Sequence, residues 1–260
     1  MLAALREAGV RAEMIAWDDP TAGLAGFDLC VLRSTWNYYT APNAFLSWVE
    51  KAARTTKLLN PVDAIRWNIH KGYLRNLDAR GVPVVPTVWL SRGSDAQFHN
   101  ILEGNGWSQA VIKPTVSAAS FQTRRYALDE ADTAQEFLTS LLLDRDVMVQ
   151  RYMPSVENRG ERAIVWIGGE LTHVVTKRPR FTSDMEHVSA AEAPTSEDRN
   201  IADRAISLVA GELLYARVDV MRDPAGALRL SELELIEPSL FMQQHRPALE
   251  RLVSTIVKRL

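Results

Sequence analysis

The sequence predicts an α/β chain, and three observations carry that reading. Short apolar runs of period two alternate with amphipathic helical stretches along the 260 residues. Gly168-Gly169 joins two alternating runs, GERAIVWI and ELTHVVTKRP, as a two-residue hairpin. Residues 215–239, YARVDVMRDPAGALRLSELELIEPS, read as a second hairpin with DPAG at its turn. The second hairpin carries the chemistry. Asp219 lies on its first strand, and Glu232 and Glu234, two apart, share one face of its second. Three carboxylates gathered there repel one another and lose hydration unless a cation lies between them. The fitting ion is hard and oxygen-loving, Mg²⁺ or Mn²⁺, and Mg²⁺ held this way usually also binds substrate phosphates. The plainer alternative is two solvated acids on an amphipathic strand and an ordinary edge aspartate.

Composition bounds the answer. A chain of 260 residues can bury a large core, in one or two subdomains. Its 47% hydrophobic and 24% charged residues place it among ordinary globular proteins. A formal charge of −2 gives no reason to expect nucleic acid or an anionic membrane as partner. Cys30 is the single cysteine, so an intrachain disulfide is excluded and a reducing, cytoplasmic setting is expected. No apolar run approaches the roughly 20 residues needed to span a bilayer, and no signal peptide opens the chain.

The elements follow in order. LAALREAG reads as a helix closed by Gly9, then VRAEMIAW and FDLCVLRS as strands. An opening helix in an α/β domain crosses over from an earlier strand, so the N-terminus reads as trimmed by one strand. Arg33, Ser34, Thr35, Trp36 and Asn37 follow at the carboxyl end of a strand, where open α/β sheets place ligands. An isolated Trp36 is otherwise a packing plug. A helix with Phe45, Leu46, Trp48 and Val49 on its apolar face comes next. LLNPVDAIRWNIHKGYLRNLDARGVPVVPTVWL gives a short strand, a turn at Asn60-Pro61, a helix with Lys71 in its first half, and a strand begun by Val82-Pro83. A short helix is expected around Gln97 to Leu102. QAVIKP is a strand ending on Lys113 that runs straight into TVSAASFQT; a charged end before a loop of small residues suggests an anion. The strand RRYAL, a helix over about 130–142 and the strand DVMVQRYM lead to the first hairpin. Residues 179–197 read as a mobile polar loop. EDRNIADRAISLVAGELL is an amphipathic helix with Ile201, Ala205, Leu208, Val209 and Leu213 on one face. RPALERLVSTIVKRL closes the chain as a helix.

The order of these features resembles the ATP-grasp superfamily from about residue 68 to 239. It runs from Lys71 through GVPVVPT, a strand ending Lys-Pro, a small-residue loop, the hinge Gln150-Arg151-Tyr152-Met153 and a hairpin ending Lys177-Arg178 to Asp219…Glu232-Leu-Glu234. The pattern is most similar to the glutathione-synthetase-like and ribosomal-protein-modifying ligase branch, whose Glu-x-acceptor-x₃-Pro frame ELELIEP fills. STWNYY and ELELIEPSLF look like a subgroup that includes the cyclo-ligase closing O-ureido-D-serine to D-cycloserine. The fold implied is two α+β subdomains gripping ATP, over 63–149 and 150–260, after a partial Rossmann-like pre-ATP-grasp domain over 1–62.

The resemblance also implies roles. Lys71 and Lys113 would contact the ATP phosphates, Lys113 also lying near the adenine, with Ser117 and Ser120 donating hydrogen bonds from the loop. Gln150, Arg151, Tyr152 and Met153 would frame the adenine, and Glu157 the ribose. Lys177, Arg178 and Arg217 would stabilise the transferred phosphoryl group. Asp219, Glu232 and Glu234 would hold one or two Mg²⁺ (or Mn²⁺) ions. Arg33, Ser34, Thr35, Trp36, Asn37, Arg180, Arg246, Ser239 and the 179–197 loop would select a small amino-acid-like substrate, and a homodimer is compatible with the family. Thr115 to Phe121 lacks the glycines usual in the phosphate loop, so its left-handed conformations cost energy. The implied reaction activates a carboxylate, or a carbonyl-like oxygen such as a ureido group, as an acylphosphate and lets an amine displace the phosphate. A small-molecule kinase and a nucleotide-binding module without turnover are the alternatives. A Rossmann oxidoreductase lacks its GxGxxG.

Overall fold

The computed structural model describes residues 1–178 and 187–260. After α1 (Leu2–Glu7), strand β1 (Leu29–Val31) pairs in parallel with β2 (Lys57–Leu59), the two joined across α2 (Pro42–Thr55). VRAEMIAW, expected as a strand, forms no ladder. Val10 and Ala12 still pack onto the core around Leu252. The backbone there is held by side chains: Arg6 Nε and Nη2 donate to the Ala12 carbonyl at 3.1 and 2.9 Å. Alternation satisfied burial without a strand edge to pair with.

The single helix expected around Lys71 is two, α3 (Val62–Asn68) and α4 (Tyr73–Ala79). Lys71 lies in the break because its N–H donates to the Thr115 carbonyl at 2.8 Å rather than continuing the helical ladder. Then come β3 (Thr87–Leu90), α5 (Phe98–Asn105), β4 (Gln109–Pro114), β5 (Arg124–Ala127), α6 (Ala131–Leu142) and β6 (Val147–Arg151). These strands form an antiparallel sheet in the order β3-β6-β4-β5. Helices α5 and α6 cover it through Phe98, Leu102 and Leu138 against Ile112 and Val149. Strand β6 extends through Arg151.

The rest comprises α7 (Ser155–Arg159), β7 (Glu161–Ile167), β8 (Glu170–Arg178), β9 (His187–Val188), α8 (Ser196–Ser207), β10 (Tyr215–Arg222), β11 (Leu228–Glu234) and α9 (Arg246–Val257). Both predicted hairpins are present in an antiparallel sheet ordered β11-β10-β7-β8-β9. One face packs Val218, Leu230 and Leu233 under α4 and α8. On the other, Val165, Ile167 and Tyr215 lie under α9. The remainder of that face is charged and turns toward the four-stranded sheet. The segment before β3 ties the two sheets: Val85 donates to the Leu230 carbonyl at 2.9 Å, and Leu230 to that of Pro83 at 2.7 Å.

Candidate active site

A cavity of about 740 Å³ lies between the two sheets. Its base is the β10–β11 hairpin, whose register sets Arg217 opposite Glu234 and Asp219 opposite Glu232. The ladder then skips a residue, since Val220 pairs with Leu230 and leaves Ser231 as a bulge. Ser231 Oγ donates to the Asp219 carbonyl at 3.0 Å. The skip changes the phase of β11. Leu228 and Leu230 point to the core before it, and Leu233 after it, so Glu232 and Glu234 face the cavity.

Every acid on the cavity-facing part of the hairpin leans on a cation. Lys113 Nζ donates to Glu232 Oε1 at 3.0 Å, with Lys71 Nζ 3.7 Å from the same oxygen. Lys71 also donates to the Ser117 carbonyl at 2.9 Å, tying the small-residue loop to the site. Lys177 Nζ bridges Asp219 and Glu161 at 2.7 and 2.9 Å. Arg217 grips both oxygens of Asp219 at 2.8 Å and also contacts Glu234. Burial pushes the Asp219 carboxyl up, but Arg217 and Lys177 outweigh it and hold the group below the ordinary range. Glu232 likewise is raised by burial and brought below its usual value by Lys71 and Lys113. Glu234 goes the other way. Burial and the charges of Asp219 and Glu232 push it to about 7, against the partial relief of the Arg217 it shares with Asp219.

That surplus of buried negative charge is what a divalent cation would relieve, and the donors are all carboxylate oxygens, as Mg²⁺ prefers. The residues fit the ion in kind. They do not form a ready cage, because among the described residues no three acids, histidines or cysteines are grouped to hold a metal. The three carboxylates expected to hold one or two Mg²⁺ ions are divided here among Lys71, Lys113, Lys177 and Arg217.

The other expected residues divide clearly. Lys71, Lys113, Ser117, Ser120, Gln150, Arg151, Tyr152, Met153, Lys177, Arg178, Arg217, Trp36 and Ser239 all line the cavity. The backbone N–H groups of Arg151 and Tyr152 are already engaged with the Pro86 and Gln109 carbonyls at 2.8 and 3.1 Å, so those two do not offer an edge to a ligand. Glu157 sits beside the wall, accepting from Arg125 and from the Tyr152 hydroxyl, both at 2.7 Å. Arg33, Ser34, Thr35 and Asn37 do not line it. Asn37 is structural, accepting from Trp17 Nε1 at 2.6 Å and donating to Asp18 at 2.7 Å. The Arg33 guanidinium lies 5.2 Å from the centre of the Tyr215 ring. Arg246 is surface-exposed beside Glu250 and away from the cavity. Arg180 and residues 179–186 of the expected 179–197 loop lie outside the described residues. Within the remainder His187–Val188 pair with β8 as β9, and α8 already begins at Ser196, so the stretch is not all loop.

Sequence reasoning missed Glu161 and Glu237, both in the wall. Glu161 pairs with Lys177 in the β7–β8 register, so the first hairpin's alternation held the signal. Glu237 follows the strand, out of its period, and left none. Two further residues hold the hairpin from outside. Asn68 exchanges hydrogen bonds with Leu233 and Leu235 at 2.7 and 2.9 Å, and the Tyr73 hydroxyl accepts from the Leu233 N–H at 2.9 Å.

The glycine-free loop adopts the conformations glycine would have eased. Ala119, Ser120 and Gln122 have φ of 50°, 59° and 48°. Cys30 takes no part, since burial in β1 pushes its thiol up to about 11.

Comparison with solved structures defines the class. The chain superposes on D-alanine–D-alanine ligase from Bacillus anthracis complexed with ATP at a TM-score of 0.64, with 16% identity over 89% of this chain and 78% of that one. The ATP-grasp ligase PsnB complexed with minimal precursor, Mg and ADP gives 0.59, with 18% identity over 90% and 79%. At those identities the likeness is one of fold, and the fold is ATP-grasp. D-cycloserine synthetase DcsG is nearer, with a TM-score of 0.90 and 29% identity over 99% of this chain and 92% of that one. The family model for the DcsG N-terminal domain matches residues 1–60. The cycloserine biosynthesis protein DcsG of Streptomyces lavendulae is 30% identical over all of this chain and 92% of its own. The chain belongs to the D-cycloserine synthetase family, and it is an ATP-dependent ligase.

Proposed function

We propose that this ligase is a cyclo-ligase, joining a nitrogen and an activated carboxyl group within one small amino-acid-like molecule. The ring closure follows from the family, whose named member makes D-cycloserine, and O-ureido-D-serine is the substrate to try first. The observation that carries the reading is the meeting of four buried cations, Lys71, Lys113, Lys177 and Arg217, with the buried Asp219 and the half-buried Glu232 and Glu234 in the cavity wall. Buried cations already desolvated and fixed are what a transferring phosphoryl group requires.

In the first step a substrate carboxylate oxygen attacks the γ-phosphorus of ATP, ADP leaves, and a mixed carboxylic–phosphoric anhydride forms. In the second, the nitrogen attacks the carbonyl carbon, the C–N bond closes, phosphate departs and the nitrogen loses a proton. Lys71 and Lys113 would bind the phosphates, exchanging their hold on Glu232 for the nucleotide. Lys177 and Arg217 would face the charge developing on the γ-phosphoryl oxygens, with Arg178 beside them. Asp219, Glu232 and Glu234 would hold Mg²⁺, with Mn²⁺ an acceptable substitute, and the ion supplies charge neutralisation of the phosphates when bound. No side chain needs to become covalently linked. Gln150, Tyr152 and Met153 would frame the adenine, and Trp36 and Ser239 the substrate. A cytoplasmic homodimer completes the reading; among the described residues no helix is long and apolar enough to cross a membrane.

The test is to incubate the protein with ATP, Mg²⁺ and O-ureido-D-serine, following ADP release and product mass together. A cyclised product formed with ADP supports the proposal. A phosphorylated compound that accumulates without ring closure makes the protein a kinase. ATP binding with no ADP release, with this compound or a panel of amino acids, makes it a binding module.

A further inference from the structure

From the geometry we infer that Glu237 binds the substrate's cationic amino group. The inference rests on the ligase reading and adds to it a residue that decides which substrates are taken. Glu237 lines the cavity although the residue is only 7% exposed. Among the described residues its carboxylate has no hydrogen bond or ion pair. A buried carboxylate without a partner is costly, and one that faces a ligand cavity is matched by what enters the cavity.

Its place is the substrate end. The Tyr215 hydroxyl is shared between the Leu32 and Ile236 carbonyls at 2.5 and 2.8 Å, which stitches the chain entering Glu237 to the end of β1. Trp36 and Tyr38, just beyond β1, line the same cavity, and Glu237 is the acid that bears most on the Tyr38 hydroxyl. Gln150 and Arg151, proposed to frame the adenine with Tyr152 and Met153 just beyond them, belong to the other sheet. Of the cations that bear on it, Lys71 is committed to Ser117 and Glu232 and Arg217 to Asp219 and Glu234, while Arg33, whose Nη1 is buried without a hydrogen-bond partner, makes no ion pair with it among the described residues. Burial and the neighbouring Glu234 push Glu237 up to about 8, against the pull of Lys71, Arg217 and Arg33. A cation arriving there relieves both effects.

An ammonium suits the place better than a metal. A divalent ion takes several oxygen ligands, and no such group forms among the described residues. A primary ammonium has three donors, needs a single carboxylate, and is further favoured by aromatic faces such as Trp36 and Tyr38.

The experiment compares wild type with Glu237→Gln and Glu237→Asp. The probes are O-ureido-D-serine and the same compound with hydrogen in place of the amino group, read as KM or, for a compound not turned over, as an inhibition constant. Mg²⁺–ATP affinity is measured alongside. Glu237→Gln is expected to raise KM for the amine-bearing compound at least about tenfold and leave the deamino compound and Mg²⁺–ATP unaffected. Glu237→Asp, which keeps the charge, should retain preference for the amine. Equal changes for both compounds, or a loss of Mg²⁺–ATP binding, overturn the assignment of Glu237 while leaving the ligase reading intact. Absence of wild-type turnover overturns the substrate reading and this inference together.

Discussion

Asp219 stands opposite Glu232 across the hairpin, and the next pair inward, Val220 with Leu230, passes over Ser231. This one-residue skip turns two acids toward the cavity while their neighbour Leu233 enters the core. Replacing Asp219 by Asn and Glu232 by Gln, which keeps their shapes, should abolish Mg²⁺-dependent ATP binding in isothermal titration. Asp219→Ala alone should also unfold more readily, by about 3–5 kcal/mol, because it leaves Arg217 and Lys177 buried without their counter-charge. Undiminished ATP binding in the double variant would remove the hairpin from the site.

Gly160 fixes where Lys177 begins its reach. Its φ is +71°, and a Cβ there would stand 2.4 Å from Thr176 Cγ2 and 2.6 Å from the Lys177 carbonyl oxygen. Gly160→Ala is therefore expected to cost about 2 kcal/mol or more and to lower turnover further by shifting β8. Urea denaturation and steady-state kinetics measure the two effects separately.

The small-residue loop after β4 invites a change of opposite sign. Ala119 has a φ of 50°, which a glycine adopts without a Cβ clash. Ala119→Gly should stabilise the protein by up to about 1 kcal/mol, the left-handed penalty offset in part by a freer unfolded chain. A destabilised variant in urea would mean that the alanine methyl contributes more in packing than its backbone loses.

Asp198 gives the pH dependence. It is fully buried, with Arg162 donating to both oxygens at 3.1 and 2.8 Å, and it completes a capping box with Thr195 at the start of α8. Burial pushes its carboxyl up, and the bonds from Arg162 and Thr195 outweigh that and hold it below the usual carboxylate value. The unfolded chain thus takes up a proton at a higher pH than the folded protein does. The stabilisation is complete above about pH 5 and is lost as pH falls through the folded-state value. Asp198→Ala should be less stable than wild type by about 3 kcal/mol near neutrality, and the gap should close in acid. A gap that stays constant down to about pH 2.5 would mean that packing, not charge, is what the substitution removes.

The sequence by itself determined the hairpins, because alternation and turn residues act over a few positions: Gly168-Gly169 and DPAG appear where expected, and Glu232 and Glu234 share the face their spacing required. It also determined the order of basic residues that the cavity gathers, from Lys71 to Arg217. Tertiary structure decided what local pattern cannot encode. VRAEMIAW alternates like a strand but found no ladder, and Lys71 left its helix because Thr115, 44 positions along the sequence, offered its N–H a better acceptor. Whether Glu161 and Glu237 meet the cavity was likewise a matter of how two sheets and the end of β1 are packed. So was the pairing of each acid with a lysine or arginine, since charges distant in the chain find one another only once burial has removed the water between them.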